Sequence, residues 1–267
     1  MPPAADPGTL TTQGNAPMPI RGRSRLLAGS RRTLPAVAVL VPALALTAAC
    51  GGGGSGSASA KKPQGVVASG AVPTAKLIQA LITSKDVPHV QVLPAGSKTQ
   101  LLGGPQKADK AACQPVADQW SSRPKHLRQV YAGAMLTDTA AKDKNAKTIS
   151  LEVVASYKPG EATAVLDDLT TALKTCHSYK TTRGGATTTF EVKTVAPTGA
   201  PLGDQQVTYT VTDTARGAAG TVLVTVVRSG DTTAAYETVR ADHKTATLRA
   251  AIPLKQAAKL HAAAAAS

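Results

Sequence analysis

Between residues 149 and 176 the hydrophobic pattern changes period across one Pro-Gly turn, and this narrows the possible folds most. Ile149, Leu151, Val153, Ala155 and Tyr157 alternate with Ser150, Glu152, Ser156 and Lys158, the pattern of a half-buried strand. Beyond Pro159-Gly160, Ala162, Val165, Leu166, Leu169, Ala172, Leu173 and Cys176 recur at i, i+3, i+4 spacing. That stripe predicts a helix over 160–177 with one apolar face. A strand apolar on one side, followed by a helix apolar on one side, calls for a sheet faced by helices.

The other segments fit that plan. A short amphipathic helix is expected from Thr74, with Leu77, Ile78, Leu81 and Ile82 as its apolar face, and "DVPHVQVLPAG" reads as an edge strand. A second helix is expected over 107–121, with Ala112, Cys113, Val116, Ala117 and Trp120 inward. "LRQVYAGAML" and "TISLEVVASYK" read as paired strands, and four more strands follow in "TTTFEVKTV", "QVTYTVTDT", "TVLVTVVR" and "TTAAYETVR". "PLKQAAKLHAAAA" reads as a closing helix with Pro253 in its first turn. The expectation is an α+β domain, residues 66–267, with an antiparallel sheet of about six strands faced by helices. Only seven aromatic residues occur in the 267, so the core must be mainly aliphatic. Few rings are left for stacking, which argues against single-stranded nucleic acids and sugar platforms.

Upstream, the chain has the three parts of a secretory signal. Arg21, Arg23, Arg25, Arg31 and Arg32 precede an uncharged run from Leu34 to Ala49, broken by Pro35 and Pro42. That run is short for a bilayer span but ordinary for a signal segment. With "LTAAC" at its end, the segment resembles a bacterial lipoprotein signal, Thr47 standing where the family usually has Leu. The resemblance implies cleavage before Cys50 and fatty acylation of that residue, making 1–49 the signal peptide. Residues 50–65, rich in Gly, Ser and Ala, read as a flexible tether that ends in "KKPQG". Two acyl chains would hold the protein on the outer face of the cell membrane. The start of translation at Met1 or at Met18 is left open. Of the formal charge of +14, residues 1–49 carry +4 and the rest +10, scattered and without the dense basic run of a nucleic-acid arm. Such a surface is solvated, or attracted to anionic lipid or wall polymer.

With Cys50 acylated, Cys113 and Cys176 remain as an even pair in an oxidising compartment, and a disulfide between them is the expectation. Both thiols fall on the apolar stripes of their helices. Catalysis by Cys176 with His177 is disfavoured because adjacent helical residues point about 100° apart.

The domain also resembles the extracellular sensor domain of PknH-type actinobacterial receptor kinases and related free-standing lipoproteins. The resemblance rests on Cys113 in "KAACQPVADQW", on "ISLEVVASYKPGEA" and on "AVLDDLTTALKTC", within about residues 73–265. It implies ligand sensing in a cleft, and no kinase domain accompanies it here. That family usually has two disulfides, whereas this chain can form one.

No catalytic constellation stands out. The histidines at 89, 126, 177, 243 and 261 are dispersed, no Cys-x-x-Cys occurs, and neither a metal nor another cofactor is expected. Asp167-Asp168 reads as a solvated helix face. Ser59–Lys62 and Ser122–Lys125 match Ser-x-x-Lys without the motifs that accompany it in penicillin-binding enzymes. Gly184-Gly185 and Gly217…Gly220 read as turns. The reading is a non-catalytic, membrane-anchored sensor or ligand-binding lipoprotein, its ligand residues not identifiable and its ligand a lipid, an anionic wall polymer or an envelope protein. The alternative is a cell-envelope adaptor acting by protein contact.

Overall fold

The structure, a computed structural model, describes residues 71–183 and 185–266. The expected signal segment, the tether, Cys50, the Ser59–Lys62 pair and Gly184 lie outside the described residues. Eight strands occur: β1 (Val90–Pro94), β2 (Val130–Asp138), β3 (Thr148–Ser156), β4 (Ser178–Arg183), β5 (Ala186–Thr194), β6 (Gln205–Asp213), β7 (Thr221–Ser229) and β8 (Thr232–Arg240). They form one antiparallel sheet in the order β1-β2-β3-β8-β7-β6-β5-β4. The helices are α1 (Thr74–Gln79), α2 (Gln114–Asp118), α3 (Glu161–Thr175) and α4 (Ala251–Ala265).

The sheet is larger than the six strands expected. The unforeseen strand is β4, "SYKTTR", which follows α3 almost at once. It has only Tyr179 and Thr181 buried, too short an alternation to stand out beside the helix stripe. The helix expected over 107–121 is also cut down. A 3₁₀ turn at Ala111–Cys113 leads into the five-residue α2, with Pro115 in its first turn, and Ala112 is exposed. In α1 the helix ends at Gln79; Ile78 faces water while Leu81 and Ile82 are buried beyond its end. That end is held by Gln256 of α4, fully buried, whose Oε1 accepts from the Ile82 N–H at 2.9 Å. Its Nε2 donates to the Ala80 carbonyl at 2.8 Å.

Side chains alternate between the two sheet faces, and each face has its own core. On one face α3 and α2 cover Tyr209, Val224, Val226 and Ala235 through Leu166, Leu169 and Val116. On the other, α1 and α4 cover Ala134, Leu136, Val154 and Tyr236 through Leu77, Ile252 and Leu260. The expected disulfide is present: Cys113 and Cys176 are bonded and buried, pinning the turn before α2 to the end of α3. Gly133 on β2 is obligatory, because a Cβ there would lie 2.1 Å from the Glu152 carbonyl oxygen and 2.7 Å from Leu101 Cδ2. No helix among the described residues is long and apolar enough to cross a membrane.

Candidate ligand-binding groove

Two concavities differ sharply in chemistry. The first lies between the 114–128 segment and α3, a cleft of only about 20 Å³ lined by Pro115, Asp118, Gln119, His126, Arg128 and Asp168 among others. Its charged groups are already engaged within the protein. His126 Nδ1 meets Glu161 Oε2 at 2.5 Å and its Nε2 meets Asp168 Oδ2 at 2.9 Å. Lys125 Nζ donates to the same Asp168 oxygen at 2.6 Å. Arg128 donates to the carbonyls of Asp118, Gln119 and Ser121 at 2.6–3.0 Å. Asp118, buried, accepts from Gln114 Nε2 and from the Lys125 backbone N–H.

Burial opposes a charge on His126, yet its hydrogen bonds to Asp168 and Glu161 outweigh that and raise its pKa above the ordinary value. Lys125 and His126 in turn lower that of Asp168. This is a clasp joining α3 to the α2 segment, and it leaves little for a ligand. Asp167 is exposed and Asp168 half-exposed on the polar face of α3, as the helix pattern implied, but both also have partners, Asp167 accepting from Gln205 Nε2 at 3.0 Å.

The second concavity is a groove of about 380 Å³ on the α4 face of the sheet. Its floor is Gln206 and Thr208 of β6 with Leu223 and Thr225 of β7. One wall is the β5–β6 loop, from Val195 to Leu202; the other is the approach to α4, from Thr245 to Ala250. Of its fourteen lining residues none is charged; the polar ones are threonines and Gln206. The loop is anchored at its ends alone. Val195 N–H donates to Thr208 O, Leu202 N–H to Gln206 Oε1, and Asp204 N–H to Arg228 O. Arg228 also pairs with Asp204 at 3.1 Å. Residues 196–201 make no hydrogen bond among the described residues. Gly203 sets the approach: a Cβ there would lie 2.4 Å from the Arg228 carbonyl oxygen.

The floor continues a transverse row of side chains. Thr208 stands opposite Thr225, Thr225 opposite Tyr236, and Tyr236 opposite Glu152. Glu152 and Tyr236 are fully buried, and neither Glu152 carboxyl oxygen nor the Tyr236 hydroxyl has a hydrogen-bond partner of ordinary geometry. Burial pushes the Glu152 pKa up to about 7. Burial also pushes Glu237 up to about 7. Because 236 and 237 are successive strand residues, Glu237 points to the opposite face, and the two acids do not converge.

The other residues singled out from the sequence are placed apart. Ser122 and Lys125 lie on the loop after α2, and Lys125 is engaged by Asp168. His177 follows a bonded Cys176 and so has no thiol beside it to activate. Gly185 and Gly217 adopt positive φ, as turns require. No group of three or more His, Cys, Asp or Glu able to hold a metal occurs among the described residues. The groove carried no sequence signal, because its threonines, alanines and leucines come from segments some fifty residues apart.

Comparison with protein-family models and with curated proteins finds no match. Among solved structures the chain is similar to the extracellular domain of PknH from Mycobacterium tuberculosis. The likeness is 12% in identity, covers 74% of this chain and 98% of that one, and has a TM-score of 0.48. It is also similar to an uncharacterised protein from Mycobacterium smegmatis, the Rv0999 ortholog, at 19% identity, 73% and 96% coverage and a TM-score of 0.29. Likenesses this loose say nothing of what the groove holds.

Proposed function

We propose that this chain is a lipid-anchored, extracytoplasmic binding protein whose groove between β6–β7 and the 195–202 and 245–250 loops takes a neutral, lipid-like small molecule. The observation that carries this reading is the groove's lining: a volume within the range of small-molecule sites, and no charged side chain anywhere on it. A charged polymer would forfeit its hydration there without a counter-charge. An apolar body with one or two hydroxyl, ester or amide groups would find aliphatic walls and threonine hydroxyls instead. The signal-like segment ending at Cys50 supports the anchored, extracytoplasmic part of the reading. The test is mass spectrometry of the full chain purified from its source membranes, under native and denaturing conditions. A mass adduct present only in the native spectrum, and lost in Leu223→Trp, is expected. Equal masses for the unaltered chain under both conditions would overturn the reading.

A further inference from the structure

The face of the sheet covered by α3 is not covered along its whole width. Leu101 and Leu102 pack over Val153 and partly over Leu151, and the cover stops there. Beyond it two adjacent transverse rows lie open. One runs Leu93–Met135–Leu151 and ends at the half-buried acid Glu237, and the next runs Thr137–Ile149–Val239. Leu93 is 71% exposed, Met135 41%, Ile149 40% and Val239 38%. Four of the seven large apolar side chains exposed among the described residues thus sit together on four neighbouring strands. A cluster of this kind on a surface marks a contact.

The chemistry around it says with what. The β2–β3 hairpin tip carries Lys142, Lys144 and Lys147, none of which makes an ion pair or a side-chain hydrogen bond. The acid among them, Asp143, is spent on capping the turn at Asn145 N–H. On the other flank Lys98 lies over the Tyr131 ring. The nearby cations of opposite orientation, Arg240 and Arg249, are paired with Asp242 and Asp138. Protein interfaces concentrate aromatic side chains and arginine at their centre and are poor in lysine. This patch is aliphatic with a rim of free lysines, the composition that meets a bilayer surface, where aliphatic side chains enter the headgroup boundary and lysines meet anionic lipid.

We propose that the open β1-β2-β3-β8 face, with the 142–147 hairpin tip, seats the domain on the surface of an anionic lipid bilayer. The contact is separate from the groove, which lies toward the other end of the sheet and on its opposite face, so it stands whatever fills the groove. It would leave β6–β7 and the 195–202 loop, on the opposite face, clear of the bilayer.

The test uses the full chain with Cys50→Ala, which removes acylation and leaves no free thiol beside the bonded pair. A cysteine carrying an environment-sensitive fluorophore is placed at Met135, and in a second chain at Leu254, which is exposed on α4. Each is titrated with phosphatidylcholine vesicles, with and without a quarter of phosphatidylglycerol. The Met135 probe should shift to the blue and be quenched by nitroxide-labelled lipid with the anionic vesicles, while the Leu254 probe stays unchanged. Changing Lys142, Lys144 and Lys147 to Gln should raise the lipid needed for half-response roughly 100-fold, from about fivefold per lysine. A silent Met135 probe, an equal response at Leu254 or an equal response to neutral vesicles would overturn the proposal. A concentration-dependent shift before lipid is added would overturn it in favour of a second copy of the chain.

Discussion

Glu152 on β3 stands directly opposite Tyr236 on β8, both fully buried beneath α4, with no hydrogen bond of ordinary geometry at either polar end. A carboxyl in that setting is held in its neutral form. The desolvation that would accompany ionisation is what gives the domain its expected response to pH.

With Glu152 raised from 4.5 to about 7, the folded state holds a proton that the unfolded chain has released. Stability therefore falls as pH rises from about 4.5 to about 7, and levels above that. The full effect is about 3 kcal/mol as an upper bound. Urea unfolding at pH 5 and pH 8 should show the higher midpoint at pH 5. Glu152→Gln should reduce that difference; a midpoint that climbs with pH in the unaltered protein would contradict the assignment.

His126 contributes in the same direction by a different route. Its raised pKa means that the clasp is strongest when the imidazole is charged, below about 6.5, and is lost as pH passes its folded value. His126→Gln should cost about 1 kcal/mol at pH 6 and less at pH 8, the size of one part-buried charged hydrogen bond. Proton NMR of the imidazole gives the direct check: a titration midpoint below the free value would reverse the sign.

Removing the disulfide should be the costliest single change to the scaffold. The bond closes 63 residues of chain, which in the entropy model corresponds to about 4 kcal/mol. The double variant Cys113→Ala, Cys176→Ala should lower the unfolding free energy from urea titration by that amount. Thiol titration of the unreduced, denatured chain should find neither cysteine free.

The groove has its own structural test in Gly203. A Cβ there meets Arg228 O at 2.4 Å and Val227 Cγ1 at 2.7 Å, so Gly203→Ala must push the 195–202 loop off β7. A loss of about 1–3 kcal/mol is expected, together with loss of any native-state adduct. Unchanged stability would show that the loop has another seat.

What could be read beforehand follows from range. The period-two pattern of β3 and the 3.6-residue stripe of α3 are local, and both elements stand where those patterns put them. β6, β7 and β8 were legible for the same reason. β4 was not, since two buried side chains carry too short an alternation, and α2 is shorter than expected because the 3₁₀ turn and Pro115 interrupt its stripe. The clasp joins His126 to residues 35 and 42 positions away, and its partners look like ordinary helix-surface acids until α3 is docked. The groove is less legible still, because it is made by the order of strands and by the course of two loops.

That order also decides when the fold can exist. β8, near the end of the chain, slots between β3 and β7, and its ladder pairs Ser150 with Thr238, residues 88 apart. A chain emerging from its amino end reaches β3 with an open edge and has nothing to close it until β8 arrives. Such non-local closure makes assembly late and slow. The β1-β2-β3 half of the sheet therefore joins the β7-β6-β5-β4 half through β8 alone, so one late strand carries the ladder between them.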